Sequence, residues 1–387
     1  MSKIKVLHVT GAMNRGGAEV MLMDIFRHIS AHFQFDFLIN YKIKDGNTTG
    51  DFDQEILAKG GRIKHIGAQW DLGIKNYFAA FKKVTEELGL PDIVHIHMNA
   101  KSGMIALAAK KAGVKKVIVH SHADLKFRGS ILSRMASQTE LHMQKFLINR
   151  YADCFWGCSP EANKSLFYHK FLNENNSAVI NNAIDVDSFR NVKDKAVEKL
   201  RQIYHLNDNT IVIGNVGRIV AHKNVLFILD ILAELKKKNI DFRFVFAGRA
   251  DQPAYLEEIW AKASEYGITE NIIYLGLRSD IPAVLKSCDI FVAPALKEGF
   301  GLVAVEAQAA GLDCYLYTGF PTSVDMGVDL VHFFNHFQAD VWAEEIKNRS
   351  IINKDLDLIS KIIINNGFDT KSNVVILQDR YQKLYSK

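Results

Sequence analysis

Cysteine and proline are scarce in this chain, and their scarcity excludes several kinds of protein. Its 387 residues include six prolines and four cysteines. The cysteines do not have the paired spacing of a zinc site or of a secreted disulfide framework. We therefore expect buried, reduced thiols at these four positions: Cys154, Cys158, Cys288 and Cys314.

Long apolar runs are also missing. No window reaches the roughly 18 uninterrupted apolar residues of a membrane-spanning helix. The start of the chain, MSKIKVLHVTGAM, has an apolar run that is too short for a signal peptide and predicts a strand instead. With 48% apolar and 24% charged residues, the composition is that of an ordinary globular protein. Together these features predict a cytoplasmic protein.

Two phosphate-binding fingerprints are absent. The chain has no Walker sequence, which argues against an ATPase. The turn after the first strand lacks the G-x-G-x-x-G spacing of dinucleotide binding and the acidic residue about 20 positions further on. A nicotinamide dehydrogenase is therefore the weakest of the enzyme alternatives.

Positive charge is concentrated in the first half of the chain. Residues 1–190 carry 25 Lys+Arg and 18 Asp+Glu, whereas residues 191–387 carry 23 and 25. Between Lys101 and Arg134, eight basic residues accompany a single acid, Asp124. This stretch fits either a solvated helix face or contact with an anionic partner, such as a membrane surface or a lipid-linked diphosphate. Nucleic acid is not expected, because aromatic residues are not interleaved with the charges.

Short apolar runs alternate with amphipathic segments along the whole chain. This alternation is typical of parallel strands joined by crossover helices and predicts an α/β protein. A break in the pattern near residues 183–210 separates two sets of strands. We predict two Rossmann-like, doubly wound domains at residues 1–185 and 186–366, with a closing helix in residues 367–387 that is able to pack back towards the first domain.

Doubly wound domains bind ligands at the carboxyl ends of their strands, so the motifs there matter most. Gly16 and Gly17 precede the first predicted helix, where the backbone can approach a ligand and free N–H groups favour an anion. Arg218 and Lys223, in GRIVAHK, follow a strand of the second domain. A planar guanidinium and a point charge in one loop suit a diphosphate, although a surface salt bridge is the simpler alternative.

The segment KEGFGLVAVEAQAAG, residues 297–311, combines two acids with a glycine corner and a helix former. It predicts a helix that begins near Leu302 and stops at Gly311. Free N–H groups at Gly301 and Leu302 favour phosphate oxygens. Glu306 then suits a ribose diol and Glu298 a group beyond the phosphates, so the segment predicts a cradle for a nucleotide sugar.

In order, these motifs resemble the retaining glycosyltransferases of the group 1 family (subfamily 4-like), which have the GT-B fold. The resemblance spans residues 4–345 and includes the early glycine pair, NNAID at 181–185, GRIVAHK and EGFGLVAVE. It implies two domains that face each other across a cleft, and a sugar transferred with retention from a nucleotide diphosphate donor to an acceptor hydroxyl. It also implies no cofactor and no catalytic metal, because cations and helix N-termini neutralise the leaving diphosphate.

The resemblance assigns roles to individual residues. Arg218 and Lys223 would hold the diphosphate, and Glu298 the transferring sugar. His122, in VIVHSHADL, would lie near the donor sugar and the acceptor, with His97 and His120 as alternatives for this role. The expected catalytic set is thus His122, Glu298, Arg218 and Lys223. The donor-binding set is Gly16, Gly17, Arg218, Lys223, Gly301, Leu302 and Glu306.

Some positions depart from the family pattern. Ala183 replaces a common glycine after the hinge residue Asn182, and Lys297 stands where an aromatic residue is frequent. The paired aspartates Asp185 and Asp187 are interpreted as a turn and helix cap rather than a metal motif. The tail GLDCYLYTGFPTSVDMG is similar to a subgroup from bacterial capsular and exopolysaccharide assembly.

The sequence therefore predicts a metal-independent, retaining hexosyltransferase of polysaccharide biosynthesis. We expect a UDP-sugar donor, a glycan or lipid-linked glycan acceptor, and a location in the cytoplasm or at the inner face of the membrane, contacted through Lys101–Arg134. Two alternatives stay open: a UDP-sugar epimerase, and a noncatalytic nucleotide-sugar-binding partner of another glycosyltransferase.

Overall fold

The computed structural model describes residues 3–14, 16–41, 49–123, 125, 130–206, 210–349 and 354–386. The chain forms two compact units, one made of Met1–Ala183 with Thr370–Lys387 and the other of Ile184–Asp369. These divisions lie two residues from the predicted boundary at 185/186 and three residues from that at 366/367. Each unit is an α/β structure built on one parallel sheet, as the alternation of strands and helices predicts.

The first unit contains a seven-stranded sheet with the strand order β3-β2-β1-β4-β5-β6-β7. Its strands run parallel and are largely buried, because helices cover both faces. The strands are β1 Ile4–Thr10, β2 Phe33–Tyr41, β3 Arg62–Gly67, β4 Ile93–Ile96, β5 Lys116–Ser121, β6 Cys154–Gly157 and β7 Ser177–Val179.

Crossover helices connect these strands. They are α1 Gly17–His28, α2 Asp53–Ala58, α3 Gln69–Leu72, α4 Ile74–Glu87, α5 Ser102–Lys111, α6 Ile131–Tyr151 and α7 Pro160–Leu166. Local sequence fixes their starts. The Ala162 N–H donates to Ser159 Oγ at 3.1 Å, and Pro160 occupies the first turn of α7, where its missing N–H costs nothing.

The second unit contains a six-stranded parallel sheet with the order β10-β9-β8-β11-β12-β13. The strands are β8 Ile211–Val216, β9 Phe242–Ala247, β10 Ile272–Tyr274, β11 Ile290–Ala293, β12 Asp313–Tyr317 and β13 Val331–Phe334. The helices are α8 Val186–Arg190, α9 Asp194–Ile203, α10 Val225–Lys237, α11 Pro253–Glu265, α12 Ile281–Lys286, α13 Leu302–Ala309, α14 Ala339–Lys347 and α15 Leu356–Asn365.

Both sheets are doubly wound. In the second unit, α13 and α15 contribute to the core on one face of the sheet, while α10, α11 and α14 contribute to the core on the other. The strand order reverses between β1 and β4 in the first unit and between β8 and β11 in the second. A ligand of such a sheet binds at the carboxyl ends of the strands on either side of the reversal. The loops that follow these ends carry predicted site residues.

The last helix, α16 Thr370–Tyr385, belongs to the first unit although it follows the second in sequence. It packs against α1, and the Ser30 N–H donates to Gln378 Oε1 at 2.9 Å. Tyr381 is fully buried, with its ring centroid 5.7 Å from those of Phe33 and Trp156. The closing helix therefore completes the core of the first unit.

A bilayer-spanning helix would need length and apolarity together. Among the helices of the described residues, none combines the two.

Candidate functional site

The loops after β8 and β9 meet backbone to backbone at the carboxyl edge of the second sheet. Gly217 and Gly248 have φ angles of 148° and 147°, which favour glycine. A Cβ added to Gly248 would lie 1.8 Å from the Gly217 carbonyl oxygen, so a side chain there would force the loops apart. This close approach fixes the positions of the cations that follow each glycine.

Arg218 lies at this edge with a half-exposed side chain, 53% accessible. Its Nη1 is 3.5 Å from Asp251 Oδ2, and Arg249 Nε donates to Asp251 Oδ1 at 2.7 Å. Arg249 is a cation that the sequence analysis missed. The signal was present in FAGRAD, where arginine follows a buried strand and a glycine just as Arg218 does.

Lys223 and Glu298 form a hydrogen-bonded ion pair in the second unit. Their side chains are 19% and 12% accessible, so the pair is shielded from water more than a surface salt bridge is. Backbone hydrogen bonds hold the loop that carries Glu298, because its N–H donates to the Gly319 carbonyl at 2.9 Å. The structure thus brings together two of the predicted site residues, 75 positions apart in sequence.

The ion pair has a chemical consequence for ligand binding. The Lys223 ammonium is already balanced by a carboxylate, so an anionic ligand competes with Glu298 for it. The nearby His222 stays neutral at pH 7, because partial burial and the positive charges of Lys223 and Arg218 lower its pKa below the usual value. A diphosphate at this edge would meet the positive charges of lysine and arginine.

Helix α13 begins at Leu302, as the sequence predicts, and Gly301 is its N-cap with a φ of 87°. A Cβ on Gly301 would lie 2.4 Å from the Phe320 ring and 3.6 Å from Glu298 Cγ. Glycine is therefore required here, and Glu298 lies directly beside the helix start. Glu306 is half-buried one turn into the helix.

A buried amide fixes the orientation of α13. Gln308 Nε2 donates to the Val324 carbonyl at 2.9 Å, and Gln308 Oε1 accepts from the Met326 N–H at 3.0 Å. The amide therefore ties the helix to the segment after β12. A helix N-terminus held this firmly is a preorganised site for an anion.

The predicted residues of the first unit lie at the carboxyl ends of β1 and β5. Gly16 is the N-cap of α1 and Gly17 is its first residue. A Cβ on Gly17 would meet open space, whereas one on Gly16 would lie 2.4 Å from Glu19 Oε2. His122 directly follows β5, and its N–H donates to Asn99 Oδ1 at 2.7 Å.

His122 is the end of a row of buried histidines. His97 Nδ1 lies 2.8 Å from His122 Nε2, and His97 Nε2 lies 3.0 Å from His8 Nδ1. Burial lowers the pKa of His122 to about 4 and that of His8 to about 3. These imidazoles are therefore neutral at pH 7, so His122 can donate or accept a hydrogen bond there but carries no charge.

A second row runs beside the first. His95 Nε2 lies 3.2 Å from His120 Nδ1, and His95 Nδ1 lies 2.6 Å from the Tyr381 hydroxyl. Sequence motifs pointed to His97 and His120 only as alternatives to His122, and they did not point to His8 or His95. The signal was histidine at every second position in VHIH and VHSH, because alternate residues of a strand share one face.

The paired aspartates are placed at a helix start. Asp185 is the N-cap of α8, and Ser188 Oγ donates to the Asp185 carbonyl at 2.6 Å. Two groups of side chains among the described residues have ligand atoms close enough to share a metal ion, and both consist of histidines. Asp185 is thus the N-cap residue of α8, and Asp187 lies in its first turn.

Two family models match the chain, one for each half. Residues 15–188 match glycosyltransferase family 4, and residues 196–355 match glycosyl transferases group 1. The chain is 30% identical over 383 residues to the Bacillus subtilis (strain 168) protein EpsF, which is named as a glycosyltransferase, and the match covers 98% of this chain and 97% of EpsF.

A further relative and a solved structure extend the comparison. The chain is 27% identical over 322 residues to the Escherichia coli UDP-Gal:alpha-D-GlcNAc-diphosphoundecaprenol alpha-1,3-galactosyltransferase, covering 81% of this chain and 79% of that one. The crystal structure of Anabaena Alr3699/HepE in complex with UDP and glucose superposes with a TM-score of 0.71 at 20% identity, covering 97% of this chain and 98% of that one.

The fold and the full-length similarity lead to one assignment. Two parallel, doubly wound sheets are the architecture of the GT-B proteins that this chain superposes on. Both halves match glycosyltransferase models, and the similarity to EpsF runs through nearly the whole of both chains. The chain therefore belongs to the group 1 family of glycosyltransferases, with the GT-B fold.

Proposed function

We propose that this protein transfers a sugar from a UDP-sugar to a hydroxyl of a lipid-linked glycan, with retention at the anomeric carbon, as a step of polysaccharide biosynthesis on the cytoplasmic side of the membrane. The observation that carries the proposal is the arrangement at the second sheet, where the Lys223–Glu298 pair lies beside the start of α13. The Escherichia coli relative supports it, since that enzyme is named for a UDP-sugar donor and a diphosphate-linked acceptor.

The proposed roles follow from charge and position. Lys223 and Arg218 neutralise the diphosphate as its bond to the sugar breaks, and the N–H groups of Gly301 and Leu302 share that charge. Because this stabilisation comes from fixed cations and a helix N-terminus, the proposed mechanism uses no catalytic metal and no cofactor.

The two carboxylates have different partners. Glu306 accepts hydrogen bonds from the ribose hydroxyls. Glu298 leaves Lys223 when the diphosphate arrives and then accepts hydrogen bonds from the hydroxyls of the transferring sugar. In the first unit, the neutral imidazole of His122 orients the acceptor hydroxyl through a hydrogen bond.

The direct test is to incubate the protein with a UDP-sugar, with and without a lipid-diphosphate glycan acceptor. We expect UDP release only when acceptor is present, and an α-linked product from an α-linked donor by NMR. Acceptor-independent isomerisation of the UDP-sugar would identify an epimerase instead. Binding of UDP-sugars without turnover on any acceptor of a panel would identify a noncatalytic partner. A thermal-shift screen of UDP and GDP sugars would choose the donors, because a ligand at 100 times its Kd adds about 2.7 kcal/mol to stability.

We also propose that the first unit contacts an anionic membrane. The described lysines of the basic stretch Lys101–Arg134 lie at two opposite edges of the sheet. Lys101 lies at the carboxyl edge of the sheet, whereas Lys110, Lys111, Lys115 and Lys116 lie at the amino edge, at the far end of the ten-residue helix α5. Lys110 is also engaged, because it pairs with Asp153 at 2.7 Å. Positions 124 and 126–129 lie outside the described residues.

Helix α6 adds an apolar surface at the carboxyl edge. Leu132, Met135 and Phe146 are 79%, 58% and 65% exposed, and their spacing of 3 and 11 residues places them along one face of the helix. Arg134 is exposed in the same first turn. Apolar side chains flanked by basic ones are the composition of a helix that lies in a membrane interface.

We expect the double variant Leu132→Ser/Met135→Ser to lose most of its binding to vesicles that contain anionic phospholipid, measured by sedimentation. The control is Val375→Ser/Ile376→Ser, which removes two side chains of α16 that are 65% and 48% exposed. A variant that neutralises Lys110, Lys111, Lys115 and Lys116 tests the amino edge separately. Unchanged sedimentation of both the Leu132→Ser/Met135→Ser variant and the lysine variant would rule out docking through these two surfaces.

A further inference from the structure

Five histidines gather on one face of the first sheet. They are carried by three neighbouring strands, because β4 lies between β1 and β5. His8 is in register with His95 on the neighbouring strand. His95 and His97 are two positions apart, and so are His120 and His122. Because alternate residues of a strand share one face, all five side chains point the same way. Four are buried, and His122 is partly exposed at the carboxyl edge.

Among the described residues, the hydrogen bonds between these rings leave three ring nitrogens without a partner. Each neutral imidazole has one donor and one acceptor. The two rows use the facing nitrogens, but His8 Nε2, His120 Nε2 and His122 Nδ1 are buried atoms with no hydrogen-bond partner in the described part of the chain. Unpartnered buried nitrogens are costly, and an ion that accepts the lone pair of His120 Nε2 would remove part of that cost.

We propose that His97, His120 and His122 form a binding site for a divalent transition-metal ion, with Zn²⁺ as the preferred ion and water in the fourth position. One nitrogen from each of the three rings lies within 4.8 Å of the other two. Three imidazoles and an open position form a common zinc ligand set in proteins. Imidazole also suits Cu²⁺ and Ni²⁺.

The distance between His97 and His122 requires only a small adjustment. His97 Nδ1 and His122 Nε2 are 2.8 Å apart, the separation of a hydrogen bond between the two rings. Nitrogens that share a tetrahedral Zn²⁺ at about 2.0–2.1 Å from the ion lie about 3.3 Å apart. Opening this contact by roughly half an ångström admits the ion, and His122 can move because it follows the end of β5 and is partly exposed.

Two of the three outer hydrogen bonds of a zinc site are already present among the described residues. A ligating histidine usually donates its other ring N–H to a fixed partner, which orients the ring. His97 has such a partner in His8 at 3.0 Å, and His120 has one in His95 at 3.2 Å. Tyr381 in turn contacts His95, so the ligand rings are held by a second layer of residues.

A second group, His8, His95 and His97, also satisfies the spacing for a metal. It is less suitable, because all three rings are buried and an ion would have to cross the core to reach them. The group that includes His122 is open at the edge of the sheet. An ion bound there would hold the imidazole that orients the acceptor, and this consequence rests on the proposed function.

The test uses the full-length chain without a polyhistidine tag, stripped with a chelator and dialysed. We expect titration with Co²⁺ to give the visible absorption of a tetrahedral Co²⁺ centre and to saturate at about one ion per chain. Elemental analysis after equilibration with Zn²⁺ and gel filtration should give the same stoichiometry. Neither measurement depends on transferase activity, so the outcome is separate from that of the proposed function.

Two ligand variants and one control complete the test. Since loss of an outer hydrogen bond already costs about 10–100-fold in metal affinity, loss of a ligand in His122→Ala should weaken Zn²⁺ binding by at least about 100-fold. His120→Asn should do the same, but this residue is buried, so its fold is checked by circular dichroism. His142→Ala removes an exposed imidazole on α6, and this variant should bind Zn²⁺ as tightly as the unaltered chain does. Failure of the unaltered chain to bind Co²⁺ or Zn²⁺, or equal binding by His122→Ala, would overturn the proposal.

Discussion

Lys223→Ala should lower kcat by about 10²–10³-fold, the loss expected when one fixed group that stabilises developing negative charge is removed. Lys223 lies at the carboxyl end of β8 beside the start of α13, where the leaving diphosphate is proposed to gather charge. The side chain is only 19% accessible, so bulk water cannot replace it fully. Steady-state kinetics with a UDP-sugar and acceptor measure the effect, which should fall on kcat more than on KM.

Two comparisons make this result specific. Arg218→Ala should lower kcat by about 10²-fold, the lower end of the range given for Lys223→Ala. The Arg218 guanidinium is half exposed, so solvent screens its charge more than that of Lys223. Lys297→Ala removes an exposed lysine next to Glu298 and should leave kcat unchanged. Loss of Lys223 leaves Glu298 without its cation, so each variant must be assayed below its own unfolding temperature. Full activity of folded Lys223→Ala would remove this residue from the mechanism.

The sequence predicted the fold class because periodicity reports burial. Strands covered on both faces are largely apolar runs, and such runs appear at β1, β8, β9 and β11. The start of α13 was also predictable, because the glycine corner and the helix former are adjacent in the chain. These features depend on residues close in sequence.

What the sequence did not predict depends on residues that are far apart. The Lys223–Glu298 pair joins two loops 75 positions apart, and its formation follows from the pairing of β8 with β11. The histidine rows depend in the same way on β4 lying between β1 and β5. Periodicity placed each histidine on one face of its strand but could not give the order of the strands, which decides whether the rings meet.

The basic stretch illustrates a different limit. Counting charges along residues 101–134 treats them as one surface, but α5 runs from the carboxyl edge of the sheet to the amino edge within that stretch. A helix of ten residues is about 15 Å long, so lysines at its two ends face different surroundings. Charge composition therefore indicated an anionic partner without locating its contact.

Tyr381→Ala should destabilise the first unit by about 3–5 kcal/mol, the usual cost of replacing a buried aromatic residue with alanine. Tyr381 is fully buried in α16, packed against Phe33, Phe35 and Trp156, and its hydroxyl lies 2.6 Å from His95 Nδ1. Alanine would leave a cavity and take a hydrogen-bond partner from a buried imidazole. For a unit of this size the unfolding midpoint should fall by about 6–20 °C, measured by circular dichroism or calorimetry.

The matched control is Tyr385→Ala, four residues later on the same helix, where the side chain is 48% exposed. We expect that variant to unfold within about 0.5 kcal/mol of the unaltered chain, as surface substitutions usually do. Tyr381→Phe separates packing from hydrogen bonding, because it keeps the ring and removes only the contact to His95. If Tyr381→Ala and Tyr385→Ala unfolded at the same temperature, α16 would not be part of the core of the first unit. A large difference would show that α16 stabilises the first unit through the packing of Tyr381 in its core.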